Sequence, residues 1–348
     1  MAIIHTDGFR YDRGLYTNFA LSAEQGSGSG RNNGLDSYGI FTFSAARSGI
    51  NLPFANVGGG TPATIITGFA VWCPTGASGT QQVCRLAGNT NTHLSFVLDY
   101  STLKLSVYLG PGAVTLLGTT TVPIFAAQGE WSYIEIKATI DDTAGAVEVR
   151  YYGTTVLSLS GIDTRNADIA GVANMLLGYL GGASSANIQY DDWYILDTTG
   201  ATNNTFLATT ANNPRIIDVL PNAAGDSTQF TPSSGTNWSA AASWDGDTSY
   251  VGDATVGDRD LYNFPNMPAG IANIATIVAS HSARKDDALA RSMALGVKSG
   301  GTIFDQPSFA LTNGYVFRQT VMDTDPATGV AWVEAGVNGL QAGPKVAA

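Results

Sequence analysis

Five glutamates, three histidines and two cysteines are the side chains of this chain best suited to chemistry, and their spacing restricts what that chemistry can be. Retaining glycosidases flank the scissile bond with two carboxyl groups about 5–5.5 Å apart. Of Glu24, Glu130, Glu135, Glu148 and Glu334, only Glu130 and Glu135 lie near one strand, and no Asp falls between them. His5, His93 and His281 stand in no Gly-x-Ser-x-Gly context, so they read as ordinary surface or half-buried imidazoles. The His and Cys residues also lack zinc-ligand spacing. Gly58-Gly59-Gly60 runs into Thr61-Pro62 and is no phosphate loop. These residues predict no catalytic constellation and no cofactor.

Acidic groups leave two openings. Asp245 and Asp247, with Asp253, Asp258 and Asp260, could offer oxygens to calcium, although the EF-hand Gly and Glu positions are missing. A solvated acidic loop explains them equally well. Asp191 and Asp192 beside Trp193 could contact a glycan, with the indole against the apolar face of the sugar. Strand alternation, however, sends Asp191 and Trp193 to one side, which favours packing of Trp193 in a core. Cys73 and Cys84 flank Pro74-Thr75-Gly76-Ala77-Ser78-Gly79, which reads as a hairpin loop; they are either a staple across that hairpin or two half-buried thiols.

The elements that must position these groups are strands. Short runs rich in Val, Ile, Thr, Tyr and Phe alternate with Gly, Asn, Asp and Pro, as in an all-β sandwich. The clearest strands are predicted at 65–73, 94–100, 104–109, 131–140, 146–152 and 188–196. In the run from Trp131, residues Tyr133, Glu135 and Lys137 share one face, and Ile134, Ile136 and Ala138 the other. Asp141-Asp142-Thr143-Ala144-Gly145 then turns the chain into Val147-Glu148-Val149-Arg150. The stretch 24–34 is a surface loop, and Ile40-Phe41-Thr42-Phe43 is strand-like. The β pattern lapses after Asp197, which predicts a first domain over 1–198, a linker over 199–213 and a second β-rich domain over 214–348. In the latter, strands are expected near 274–280, 293–298 and 315–322. Residues 283–289 read as a helical turn or a charged hairpin tip, and a short helix is expected within 332–340.

Composition narrows the partners. The 348 residues carry a formal charge of −11, and only 13% are charged. With pI near 4.5 and scattered Lys and Arg, nucleic acid and anionic membranes are poor partners. No apolar run approaches the ~20 residues of a membrane span, and the start lacks the pattern of a secretory signal. A surface so poor in charge predicts symmetric self-association, with a trimer favoured. Tyr250, Tyr262, Phe264 and Met267 are the expected contact residues, the alternative being that they fold over their own domain.

Three features of the first 200 residues resemble the concanavalin A-like, laminin-G-type jelly roll. They are the Trp131 strand, its hairpin into Val147–Tyr152 with Gly153, and the closing run Tyr190-Asp191-Asp192-Trp193-Tyr194-Ile195-Leu196. The resemblance implies that the closing run lies beside an N-terminal strand, here Asp7-Gly8-Phe9-Arg10-Tyr11, and that calcium could sit at a rim. The Glu-x-Asp-x-x-Glu motif of the glucanase branch is absent. The whole chain is similar to virion structural proteins of tailed bacteriophages, through Val219-Leu220-Pro221-Asn222-Ala223, Asp247-Thr248-Ser249-Tyr250-Val251 and the run Asp323–Trp332. What this implies is a non-enzymatic structural component of a virion: a decoration, spike or fibre protein, made in the host cytoplasm and contacting other virion proteins. The alternative is a glycan-binding adhesin module facing the host surface.

Overall fold

The computed structural model describes residues 3–9, 23–25, 31, 38–41, 49–178, 188–243, 245–271 and 273–348. The chain divides into two compact units, Met1–Asp218 and Val219–Ala348. Both are built from antiparallel strands, as the alternation predicts.

The described residues of the first unit form two sheets. The larger contains β1 (Ile3–Asp7), β2 (Ala23–Gln25), β3 (Tyr38–Phe41), β5 (Thr64–Trp72), β10 (Trp131–Thr139), β11 (Gly145–Tyr151), β12 (Thr154–Ile162) and β14 (Ile188–Leu196). Its order is β12-β11-β10-β5-β14-β3-β2, with β1 beside the last residues of β14. The smaller sheet runs β4 (Gly49–Pro53), β13 (Asn174–Gly178), β6 (Thr80–Ala87), β7 (Thr92–Asp99), β8 (Lys104–Leu109), β9 (Thr115–Thr119). Between the sheets lie fully buried Phe54, Phe69, Phe96, Ile134, Ile136, Tyr190 and Trp193. The phenol of Tyr190 donates to the carbonyl of Val83 at 2.5 Å, tying β14 to β6. An N-terminal strand does lie beside the closing run, but it is Ile3–Asp7, and of the expected 7–11 only Asp7, opposite Trp193, belongs to it. Gly8 and Phe9 are outside the strand, and Arg10 and Tyr11 lie outside the described residues. Of the stretch 24–34, expected as a surface loop, Glu24 and Gln25 belong instead to β2, and 26–30 and 32–34 lie outside the described residues, as do Thr42 and Phe43.

The predicted hairpin over 74–79 is instead a crossover. β5 belongs to the larger sheet and β6 to the smaller, so this loop passes between layers. Cys73 and Cys84 are accordingly not cross-strand neighbours. Both are free and buried, and burial pushes the Cys73 thiol up to about 11 and raises that of Cys84 as well.

The second unit holds β15 (Ala223–Thr228), β16 (Thr231–Pro232), β17 (Val251–Gly252), β18 (Asp260–Asn263), β19 (Ile277–Ala283), β20 (Ser292–Ser299), β21 (Thr302–Asp305), β22 (Phe309–Ala310), β23 (Val316–Met322) and β24 (Gln341–Val346). Its main sheet is ordered β15-β18-β24-β20-β21 with β22 beside β20, and β19 and β23 form a separate ribbon. Among the described residues of this unit are two short helices, α1 (Asn237–Ala241) and α2 (Glu334–Asn338), the latter inside the expected 332–340. Residues 284–289 form a loop, not a helical turn, held by an Asp287–Arg291 ion pair at 2.7 Å. Trp332 closes the core with Leu295, Val297, Met322 and Leu340, its indole N–H donating to the Met322 carbonyl at 2.7 Å.

Candidate functional site

Cross-strand partners in a sheet share a face, so the registers of β10, β5 and β14 define rows across the larger sheet. Ile134 and Phe69 point inward, and their neighbours Tyr133, Glu135, Gly68 and Ala70 point outward. On this outer face one row is Trp131, Trp72 and Gln189. The next is Tyr133, Ala70 and Asp191, and the third is Glu135, Gly68 and Tyr194. Tyr133 and Glu135 from β10 and Asp191 and Tyr194 from β14 thus converge across the small residues of β5.

Glu135 and Tyr194 are the centre of this arrangement. The Tyr194 hydroxyl donates directly to Oε1 of Glu135. Between them lies Gly68, whose missing side chain makes the approach possible: a Cβ there would sit 2.4 Å from Cε1 of Tyr194. The same Oε1 accepts the backbone N–H groups of Leu207 at 2.9 Å and Ala208 at 2.8 Å. Oε2 is buried with no hydrogen-bond partner. Burial raises the Glu135 carboxyl above its ordinary value, against the lowering pull of its donors. The phenols of Tyr133 and Tyr194 are pushed up by burial and by the neighbouring carboxylates.

A bulge in β14 supplies the rest. The register to β5 shifts between Asp191 and Tyr194, and Asp192 takes the left-handed backbone at φ 52°. The extra residue corrects the simple alternation expected here. Asp191 faces outward opposite Ala70, whereas Trp193 turns into the core, where its indole donates to Thr67 at 3.0 Å and stacks on Phe9 at 6.0 Å. Trp193 is fully buried and is not placed to stack on a sugar. Asp192, also buried, pairs with Arg31 at 2.8 Å and accepts the Ile216 N–H at 2.8 Å. The Arg31 guanidinium lies over the Tyr133 ring at 4.8 Å.

A strap of residues 206–216 covers these two rows. Its backbone meets Glu135 at Leu207 and Ala208 and Asp192 at Ile216, and the Arg150 guanidinium lies 3.9 Å above the Phe206 ring. Gly153, at φ 74°, lets Thr209 and Thr210 lie close by, since a Cβ there would meet the Thr209 carbonyl carbon at 2.5 Å. The stretch expected as a linker over 199–213 is therefore largely part of the first unit, and the division falls after Asp218.

The other candidate residues are employed locally. Asp245 accepts from the Ser249 N–H, Asp253 from the Thr255 N–H, and Asp247 from Arg284 and Tyr315. Asp260 is buried and accepts from Gln229, Phe230, Asn237 and Tyr262. Among the described residues no group of three or more His, Cys, Asp or Glu could hold a metal. Of the expected oligomer contacts, Tyr262 is buried and Phe264 and Met267 pack on their own core, while Tyr250 is exposed. His281 stacks on Phe309 at 5.1 Å, and burial with the nearby Arg318 charge lowers it to about 4.

No protein-family model and no curated protein matches the chain. Solved structures match its fold at low identity. An endo-β-1,4-glucuronan lyase from the fungus Trichoderma reesei is 12% identical at TM-score 0.39, over 55% of this chain and 93% of the lyase. An alginate lyase is 12% identical at TM-score 0.32, over 53% of this chain and 93% of that one. A Trypanosoma rangeli sialidase is 14% identical at TM-score 0.32, over 46% of this chain and a quarter, 25%, of the sialidase. These likenesses concern the fold. The structures found, a glucuronan lyase, an alginate lyase and a sialidase, stand against the expectation of a non-enzymatic structural protein, which is dropped, and they assign no role to this chain.

Proposed function

We propose that the first unit is a carbohydrate-active β-sandwich that works on a glycan laid across the outer face of its larger sheet. The observation that carries this reading is the Glu135–Tyr194 pair. One carboxyl oxygen is saturated by three donors, while Oε2 is buried without a partner in a group whose burial favours the protonated form. A proton held on Oε2 is the form a general acid needs, and the Tyr194 hydroxyl bonded to Oε1 fixes the orientation of the carboxyl. Glu135 passes the Oε2 proton to the glycosidic oxygen as the anomeric C–O bond breaks and a solvent water adds its oxygen to the anomeric carbon, losing a proton to solvent. Tyr194 is the positioning residue of Glu135, and Tyr133 and Arg31 complete the polar wall. Access to Oε2 requires residues 206–216 to lift.

The test is incubation of the full chain with a panel of neutral and uronate-containing polysaccharides. New reducing ends report hydrolysis, and the absorbance of an unsaturated product reports elimination. Activity on at least one polymer is expected, falling about 10²–10⁴-fold in Glu135→Gln with an unchanged far-UV spectrum. Absence of both signals on every polymer, or full activity in the folded variant, overturns the proposal.

A further inference from the structure

Beside the two buried rows, the outer face ends in a row that the proposed chemistry does not use. Trp131 on β10 and Trp72 on β5 are direct cross-strand partners, and Gln189 on β14 continues the row. All three are half-buried, whereas Tyr133, Asp191, Glu135 and Tyr194 in the neighbouring rows are buried. Directly opposed side chains start about 4.5–5.5 Å apart at Cβ, so the two Trp side chains leave the sheet side by side on this face. We propose that Trp72 and Trp131 form a stacking platform for a pyranose ring of a neutral glycan, with the Gln189 amide bonding its hydroxyls. The inference rests on the reading of this face as a glycan surface and adds the position and chemical class of the sugar.

The chemistry of the row selects that class. A pyranose has an apolar C–H face, which an indole covers, and a rim of hydroxyls, for which one amide offers both donors and an acceptor. The row carries no cation to meet a carboxylate. Among the described cations of this face, Arg31 lies over the Tyr133 ring in the adjoining row and is paired with Asp192, Arg150 lies opposite Glu135 and is engaged with Glu148 and Phe206, and Lys137 lies one row further. A chain of net charge −11 also disfavours an anionic polymer wherever no local cation offsets it. Trp131 and Glu135 are four residues apart on one strand, or about 13 Å, so a short oligosaccharide spans from the platform to the carboxyl.

The experiment titrates the full chain with neutral hexose oligosaccharides and, separately, with uronate oligosaccharides, by calorimetry and tryptophan fluorescence. Neutral oligosaccharides are expected to bind and change the fluorescence, with affinity falling about tenfold or more in Trp72→Ala and Trp131→Ala. Where an alanine variant fails to fold, Trp72→Phe and Trp131→Phe replace it and should bind more weakly than the parent. Parental affinity in folded variants overturns the platform and leaves the proposed function standing. Binding of uronate oligosaccharides alone overturns the neutral class. Absence of all binding, together with absence of cleavage, overturns both readings.

Discussion

Glu135 holds its proton more tightly in the folded protein than in the unfolded chain, because burial penalises its charge more than its donors favour it. A carboxyl raised in this way contributes stability that is full at low pH and is lost as pH rises through its folded value. In Glu135→Gln that loss is absent, while a side-chain carbonyl remains to accept from Tyr194, Leu207 and Ala208. The variant should therefore gain thermal stability relative to the parent as pH climbs from the ordinary glutamate value of 4.5 towards neutrality. Melting curves across that range check it, and a difference that is flat or shrinks with pH contradicts the assignment. The sequence already showed Glu135 on one face with Tyr133 and Lys137. It did not show that this face would be covered, because the covering residues lie about seventy positions later and carry no pattern pointing back.

At the scale of the strand, two local departures from regularity assemble the candidate site. Strand positions and the hairpin from β10 into β11 were legible, since alternation and turn chemistry are local signals. Asp141 performs the expected turn, accepting the N–H groups of Thr143 at 2.8 Å and Ala144 at 2.7 Å. The bulge at Asp192 was not legible: strict alternation put Asp191 and Trp193 together, and one inserted residue parted them. The role of Gly68 was equally hidden, since a glycine in a strand names no neighbour. Gly68→Ala should cost about 1–3 kcal/mol, because the new methyl enters the volume of the Tyr194 ring and approaches Cγ of Glu135 within 3.0 Å. Chemical denaturation measures the loss, and a change below about 0.5 kcal/mol would show that Tyr194 does not occupy that place.

Across the whole chain, the loss of β pattern after Asp197 predicts a linker, yet residues 206–216 are bound to the sheet they follow. Absence of periodicity reports only that a segment is not a strand; its backbone donors can still be used by side chains far away in sequence. Limited proteolysis should accordingly release a first fragment ending near Asp218, with 206–216 protected, and cutting within 206–213 would contradict the fold. The strap also behaves as a ligand tethered to its own receptor. A flexible tether presents its end at an effective concentration of order millimolar, so a free glycan competes with a neighbour that never diffuses away. Its apparent affinity is scaled down by the fraction of molecules in which the strap is open. Phe206→Ala, which removes the ring beneath Arg150, should lower the melting temperature while tightening apparent glycan binding. Those two readouts, taken on one variant, should move in opposite directions: on the proposed reading, the backbone donors that complete the fold also set the threshold a glycan must exceed.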